Sequence, residues 1–304
     1  MRPTLRQLEY IVTVHRLGRF GLAADLLGVS QPSLSAQIAA VESDLGHPLF
    51  TRNRSGVQAT AKGEALITRA QAILRQVQDL RDEMASDAPF AGRLRLGVLP
   101  SIGPYLLPQV VKSLHDTHPD LRIAVREENT RDLESGLTTG RFDAIISTPE
   151  DHPNTRQTRL FRETLWVATA TDDPLAAQPG PATAQALAGR TLLTLDTGHR
   201  LARIVYALAA QAGGTVSGDY EGTSLDSILL MAATGSGIAV IPDLFARRLA
   251  QSREEVTIKP LAMPAAYRDI ALLFPATRPV AAGEDTLTAA LLSAATALGL
   301  TRDA

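Results

Sequence analysis

The chain has 304 residues, 45% of them hydrophobic and 20% charged, with a formal net charge of –2. This composition fits a globular protein of two or three domains, and neither a membrane span of roughly 18 apolar residues nor a signal-peptide core is present, which points to the cytoplasm. Cysteine is absent, which excludes disulfides, thiolate nucleophiles, iron–sulfur clusters and thiol-based redox sensing.

The charge is unevenly spread. Residues 1–62 hold seven Lys/Arg against four Asp/Glu, a net +3, and the rest of the chain is –5. A basic head on an acidic body fits a DNA-binding module joined to a domain that does not bind DNA.

In chain order, Leu5, Leu8, Ile11 or Val12 and His15 are spaced for one face of a helix over 5–17, ended by Gly18. Helices over 20–27 and 31–45 follow. Gly28 suits the left-handed end of the first, Ser30 caps the second, and Pro32 sits in its first turn, where a missing N–H costs nothing. In the second helix Leu34, Ile38, Val41 and Leu45 form an apolar stripe, and Ser33, Ser35, Gln37 and Ala40 form an uncharged, short-polar face. Two readings fit: a helix laid in a DNA major groove, or an ordinary helical hairpin in a core.

Residues 48–60 read as a small β-wing, with Arg52 and Arg54 near a basic turn. These arginines suit phosphates or a minor groove, or simply solvate the turn. Thr60 caps a long helix from 61 to about 86, in which Leu66, Ala70, Ile73, Val77, Leu80 and Met84 make an a/d seam. A seam on a single helix of about 39 Å, at 1.5 Å per residue, needs a partner. A second copy of the chain is the simplest.

After Gly92 strand-like and helical runs alternate. Strands are expected at 94–99, 122–127, 144–147, 165–170, 191–195, 216–221, 238–241 and 270–274, with helices at 105–115, 131–139, 200–212, 225–234 and 284–297. Such alternation predicts an α/β body with largely parallel sheets in two subdomains, the last stretch returning to the first. The expected division is a DNA-binding domain at 1–60, a linker helix at 61–89 and an effector domain at 90–304. Within the last, lobe I spans about 91–163 plus 266–304, and lobe II about 164–265.

Three loops of this body follow a strand and open a helix, the position where α/β sheets collect ligands. The first carries Ser101, Ile102 and Gly103, the second His199 and Arg200, the third Thr223 and Ser224. Hydroxyls, free N–H groups, a titratable ring and a fixed cation suit a small anion such as a carboxylate. Thr223 with Asp226 is equally a capping box, and Arg200 is equally a salt-bridge partner for a nearby acid. No nucleophile elbow, Walker loop or dinucleotide fingerprint is present, so no enzyme activity and no cofactor are expected. Of the six histidines only His115 and His118 lie close together, with no third ligand near. They read as a surface pair rather than a metal site.

The residues Ala23-Ala24, Ser30-Gln31-Pro32-Ser33-Leu34-Ser35, Leu45-Gly46, Leu49-Phe50-Thr51-Arg52 and Thr60-x-x-Gly63 resemble the LysR-type transcriptional regulators. So do 140–145, Gly-Arg-Phe-Asp-Ala-Ile, and 235–242, Gly-Ser-Gly-Ile-Ala-Val-Ile-Pro, and the likeness covers essentially the whole chain. Residues 97–108 and Asp196-Thr197-Gly198-His199 look most like the peroxide-sensing OxyR branch of that family.

The resemblance implies a winged helix-turn-helix, a dimerising linker helix and a two-lobed, periplasmic-binding-protein-like effector domain, assembled as a homodimer and further as a tetramer. It places Ser33, Ser35 and Gln37 in a recognition helix and Arg52 in the wing. It puts Ser101, Thr130, His199 and Thr223 along the cleft between the lobes. The implied partners are double-stranded promoter DNA, a small-molecule effector and RNA polymerase. Two departures matter. The sensing cysteine of the OxyR branch would follow His199, where this chain has Arg200, and many members carry a basic residue just after Gln37-Ile38, where this chain has Ala39 and Ala40. The expectation is a DNA-binding regulator that answers a small, anionic effector without a thiol. A solute-binding protein and an enzyme are the competing classes, and residues 1–60 and the missing catalytic motifs weigh against them.

Overall fold

The computed structural model describes residues 3–53, 56–85, 88–220, 222–248 and 253–300, without the side chains of residues 52, 53 and 83. The chain divides into two compact units, the second beginning at Ala88.

The first unit is built on α1 (Leu5–Leu17), α2 (Phe20–Leu27) and α3 (Gln31–Leu45), followed by β1 (Phe50–Asn53), β2 (Gly56–Ala59) and α4 (Ala61–Ala85). Local chemistry sets these boundaries. Thr4 and Gln7 form a capping box on α1. Gly28, at φ 65°, ends α2, and the Ser30 hydroxyl accepts from the Ser33 N–H at the start of α3. Leu34, Ile38 and Val41 are buried against Ile11, Val14 and Phe20. Leu45, expected in the same stripe, is 39% exposed, because α3 runs one turn beyond the core it covers.

The wing is an antiparallel pair in which Phe50 faces Ala59 and Asn53 faces Gly56. One carboxylate anchors its entry: Glu42 Oε1 accepts from the N–H groups of Leu49, at 2.7 Å, and Phe50, at 3.2 Å. Helix α4 packs on α1 and buries Ile67 and Ala70 within the unit. Farther along it, Ile73, Leu80 and Met84 are 41%, 57% and 80% exposed. The apolar seam therefore divides: Leu66 and Ala70 serve this unit's own core, and the distal half is uncovered.

In the second unit the order is β3 (Arg93–Val98), α5 (Gly103–Thr117), β4 (Arg122–Glu127), α6 (Thr130–Thr138), β5 (Ala144–Ser147) and β6 (Thr155–Ala170). Next come α7 (Pro174–Ala177), β7 (Ala182–Thr183), α8 (Ala184–Leu187), β8 (Thr191–Leu193), α9 (Arg200–Ala212) and β9 (Thr215–Val216). The unit ends with α10 (Leu225–Ala233), β10 (Ile238–Pro242), α11 (Asp243–Arg248), β11 (Val256–Ala262), β12 (Tyr267–Pro275) and α12 (Glu284–Ala297).

Two parallel arrangements, β4-β3-β5 and β10-β8-β9, are joined through β12 and β6, which pair antiparallel with their neighbours. The sheets are thus mixed rather than largely parallel. The cause is β6: its first part pairs with β12 and its last part with β10 and β11, so one strand of 16 residues passes through both lobes. Each lobe has its own core, one including Leu96, Ile146, Phe161 and Leu272, the other Val167, Leu193, Val205 and Ile241.

Of the strand expected at 216–221, Glu221 lies outside the described residues and the rest pairs only through Thr215–Val216, because Gly218 has no side chain to pack and Asp219 has little strand preference. Strand β11 was hidden by Lys259 and Pro260, which interrupt its apolar pattern. In the Gly-Arg-Phe-Asp-Ala-Ile stretch, Asp143 has a fixing role. Its carboxylate accepts from Arg95 N–H at 2.7 Å and Arg95 Nη2 at 2.6 Å, and from Arg278 Nη1 at 2.7 Å. Burial works against its charge, and these arginines outweigh it and hold the carboxyl below the usual range.

Candidate functional site

On the first unit, Ser30, Gln31, Pro32, Ser33 and Gln37 are exposed along the start and one face of α3, and Ser35 is half-buried. The helix is held by its apolar stripe and the Ser30 cap, so this face is left to solvent. Glu42 and the edge-on contact of Phe20 with Phe50, at 6.2 Å between ring centroids, fix the wing on the same unit. Arg54 and the side chain of Arg52 lie outside the described residues; the Arg52 backbone pairs with Val57 in the wing.

The second unit contains a cavity of about 530 Å³, well within the range of small-molecule sites. It brings together Ser101, Thr130, His199, Arg200, Thr223 and Ser224, six of the eight effector-site residues expected from sequence. Ile102 and Gly103 do not belong with them. Both are buried, and both N–H groups donate to the Leu99 carbonyl, at 2.9 and 3.0 Å, closing the turn that starts α5. They shape the loop and have no donor left for a ligand.

The remaining residues are tied into the wall in distinct ways. Thr130 is buried, and its hydroxyl accepts from the Arg200 N–H at 3.1 Å. The Arg200 side chain pairs with Asp151 at 3.2 Å, and Arg203 with the same carboxylate at 2.6 Å. Arg200 is therefore not the free cation of the sequence reading; the competing salt bridge is formed. The capping box read from Thr223 and Asp226 is also replaced. Ser224 is the cap, accepting from Ser227 N–H at 3.2 Å, and Asp226 pairs with Arg253 at 2.7 Å. Thr223 is left exposed at the cavity.

Sequence reasoning missed Arg268. It is buried beside Glu163, its Nη2 lies 2.7 Å from Glu163 Oε2, and Nη2 also donates to Ser101 Oγ at 2.8 Å. Glu163 accepts in addition from Leu244 N–H at 2.8 Å. The sequence carried little signal for it, because Glu163 lies in a strand with Arg156, Arg159 and Arg162, and Arg268 stands next to Asp269. Glu127 and Arg248 also line the cavity, with no hydrogen bond or ion pair among the described residues. Burial raises the Glu127 carboxyl above the usual range.

Burial also holds the His199 imidazole below the usual histidine range, against the pull of Asp196 3.7 Å away, and it acts likewise on His152, whose Nε2 meets Ser147 Oγ at 3.0 Å. Both rings are thus neutral near pH 7. A pKa lowered on folding means that the unfolded chain takes up protons first, so stability is intact above about pH 6.5 and falls as pH drops below it. Urea midpoints measured between pH 7.5 and 5.5 should fall, and His152→Gln should flatten that fall; an unchanged slope would contradict it.

The N-terminal turns of α5, α9 and α10 all open on this cavity, through Pro104 and Tyr105, His199 and Arg200, and Thr223 and Ser224. Helix dipoles make such a convergence favourable to negative charge, while the N–H groups of Tyr105, His199, Arg200 and Ser227 are already paired within the protein.

Comparison with known proteins agrees with this architecture. Residues 5–64 match the bacterial regulatory helix-turn-helix of the lysR family, and residues 87–296 match the LysR substrate binding domain. The chain is 36% identical to a hydrogen peroxide-inducible genes activator of Pectobacterium carotovorum over 273 residues, 89% of either protein. It superposes on a cysteine-to-aspartate variant of full-length OxyR from Pseudomonas aeruginosa with a TM-score of 0.67 and 30% identity, over 96% of this chain and 97% of that one. Full-length CbnR complexed with its target DNA shares the fold at 20% identity, with a TM-score of 0.67 over 97% and 99% of the two chains. This chain therefore belongs to the LysR family of transcription regulators, with that family's helix-turn-helix ahead of its two-lobed effector-binding domain.

Proposed function

We propose that the chain regulates transcription from specific promoters in the cytoplasm in response to a small carboxylate or similar anion held between the lobes, by a route that uses no thiol. The observation that carries the effector class is the meeting of three helix N-termini at one cavity, where Ser101, His199, Thr223 and Ser224 add hydrogen-bonding groups. Arg248 is the cation there with no partner among the described residues. DNA reading belongs to Ser33, Ser35 and Gln37 of α3, entered through Ser30, Gln31 and Pro32, with Arg52 and Arg54 of the wing supplying phosphate contacts that Ala39 and Ala40 do not. The exposed Ile73, Leu80 and Met84 on α4, with the half-buried Val77 between them, support a homodimer, paired further into a tetramer that meets RNA polymerase at the promoter. The effector must bind one arrangement of that assembly better than the other, by about 1–3 kcal/mol in the usual range.

The Pectobacterium relative is a hydrogen peroxide-inducible genes activator, and the absence of cysteine separates this chain from a disulfide switch. Two measurements on the full chain test the reading. A panel of small carboxylic acids should contain one that raises the melting temperature, by the equivalent of about 2.7 kcal/mol at a hundred times its Kd, with the shift lost in Arg248→Ala. Stoichiometric hydrogen peroxide should leave promoter affinity unchanged. A panel without any stabilising acid would sink the effector class, and a peroxide-dependent change in affinity, which no thiol of this chain could cause, would sink the carboxylate as its signal.

A further inference from the structure

Gln7 stands in the first turn of α1 and is only 4% exposed. Its carboxamide oxygen accepts from the Thr4 backbone N–H at 2.9 Å, and its own N–H donates to Thr4 Oγ1 at 3.3 Å. The backbone N–H is a donor that cannot be reversed, so it fixes which end of the Gln7 amide is oxygen. The nitrogen end is thereby directed at Gln37, where Nε2 donates to Gln37 Oε1 at 3.0 Å. The relay thus runs in one direction, from the cap of α1 to the exposed face of α3. Because Gln7 is buried, the Gln37 oxygen in contact with it is turned toward protein. Gln37 as a whole is exposed, and its amide nitrogen has no hydrogen-bond partner among the described residues.

An unconstrained glutamine offers one donor and one acceptor side by side, which is why it pairs bidentately with adenine in the major groove. We propose that Gln7 sets the reading polarity of Gln37, so that α3 presents a donor to the DNA and selects an acceptor-only edge, guanine O6 and N7 or thymine O4, over the donor of cytosine and over adenine, whose N7 it can meet but whose N6 amino group it leaves unpaired. The inference rests on α3 being the helix that reads bases. It assigns specificity to a residue on another helix that never touches the DNA.

Substitution at Gln7 can invert the relay without removing the cap. In Gln7→Glu one carboxylate oxygen still accepts from Thr4 N–H, as in the commonest capping box. The other oxygen now faces Gln37 as an acceptor, so the Gln37 amide must turn over and present its own oxygen outward. Gln7→Met removes the tether and imposes neither polarity.

The experiment is selection of the full-length wild type and the variants Gln37→Ala, Gln7→Glu and Gln7→Met from a pool of duplexes with random central sequence, followed by scoring of base preference at each position. Gln37→Ala should flatten one base-pair position per half-site, at which the wild type favours guanine or thymine by about tenfold. Gln7→Glu should convert that position to adenine or cytosine and leave the others as they were, and Gln7→Met should broaden it to admit adenine. If Gln37→Ala flattens a position but Gln7→Glu keeps the wild-type base there, the relay is wrong and Gln37 remains a reader. Loss of binding in Gln7→Glu alone, with Gln7→Met like the wild type, also overturns it. If Gln37→Ala leaves every position unchanged, base reading by Gln37 falls, and the relay with it.

Discussion

Gly63→Ala is expected to destabilise the N-terminal unit by at least about 3 kcal/mol, at the severe end of single substitutions, and to abolish DNA binding. The sign is opposite to the ordinary rule, since alanine inside a helix is better than glycine by about 1 kcal/mol. A methyl at Gly63 would stand 2.1 Å from the Leu49 carbonyl oxygen, 3.0 Å from its carbon and 3.3 Å from Ala59 Cβ. Contacts this short require one backbone to move by more than an ångström, and neither is free to. The Leu49 carbonyl accepts from Thr60 N–H at 2.9 Å, and the Leu49 N–H is held by Glu42 at 2.7 Å. On the other side Thr60 Oγ1 accepts from Gly63 N–H at 3.0 Å and donates to the Pro48 carbonyl at 2.8 Å. The Leu49 side chain is buried in the core that seats α3. Thermal unfolding followed by circular dichroism, with anisotropy on a promoter duplex, measures both effects. A variant that melts with the wild type and binds as tightly would show that the wing and α4 are not joined at this point.

The Thr60-x-x-Gly63 spacing was visible in the sequence, but its reason was not, because a glycine inside a helix looks like a defect until the strand crossing it is placed. The same division holds through the chain. Helices α1 to α3 were legible to the residue because capping residues, left-handed glycines and apolar spacing all mark the same boundaries. Strand β11 was not, since Pro260 breaks its pattern locally and only pairing with β6 restores it. At the cavity, residue types in strand-to-helix loops were enough to collect Ser101, His199, Thr223 and Ser224, and the family resemblance added Thr130. They could not reveal partners. Arg200 is closed off by Asp151, 49 positions away, and Ser101 is held by Arg268, 167 positions away. Which charges neutralise each other is a tertiary property, so a local reading can offer a salt bridge for Arg200 as an alternative but cannot name its acid.

That blind spot matters most at Arg268, where Arg268→Met is expected to cost about 3–5 kcal/mol, the range for breaking one side of a buried ion pair. Arg268 on β12 faces Glu163 on β6 in register, with Nε 2.9 Å and Nη2 2.7 Å from the same carboxylate oxygen. Glu163 is buried deeply enough that burial raises its pKa, while Arg268 and the Leu244 N–H pull it back down. Remove Arg268 and the carboxylate loses its counter-charge but not its burial, so the folded variant must protonate it. A carboxyl whose folded pKa lies above its unfolded value stabilises the fold at low pH and less so as pH rises, so the deficit of Arg268→Met should shrink on acidification from pH 7.5 toward 5.5. A pair of polar contacts goes as well: Ser101 Oγ loses its donor and the Leu244 N–H faces an altered acceptor. The double variant Arg268→Met with Glu163→Gln separates charge from packing. Replacing both members of a buried pair is often nearly neutral, so the double variant should recover most of the lost stability. Urea denaturation of the wild type and both variants at the two pH values decides it. A single variant as stable as the wild type, or a double variant no better than the single, would mean that this pair is wet or unformed and that the wall of the cavity at Ser101 is set by something else.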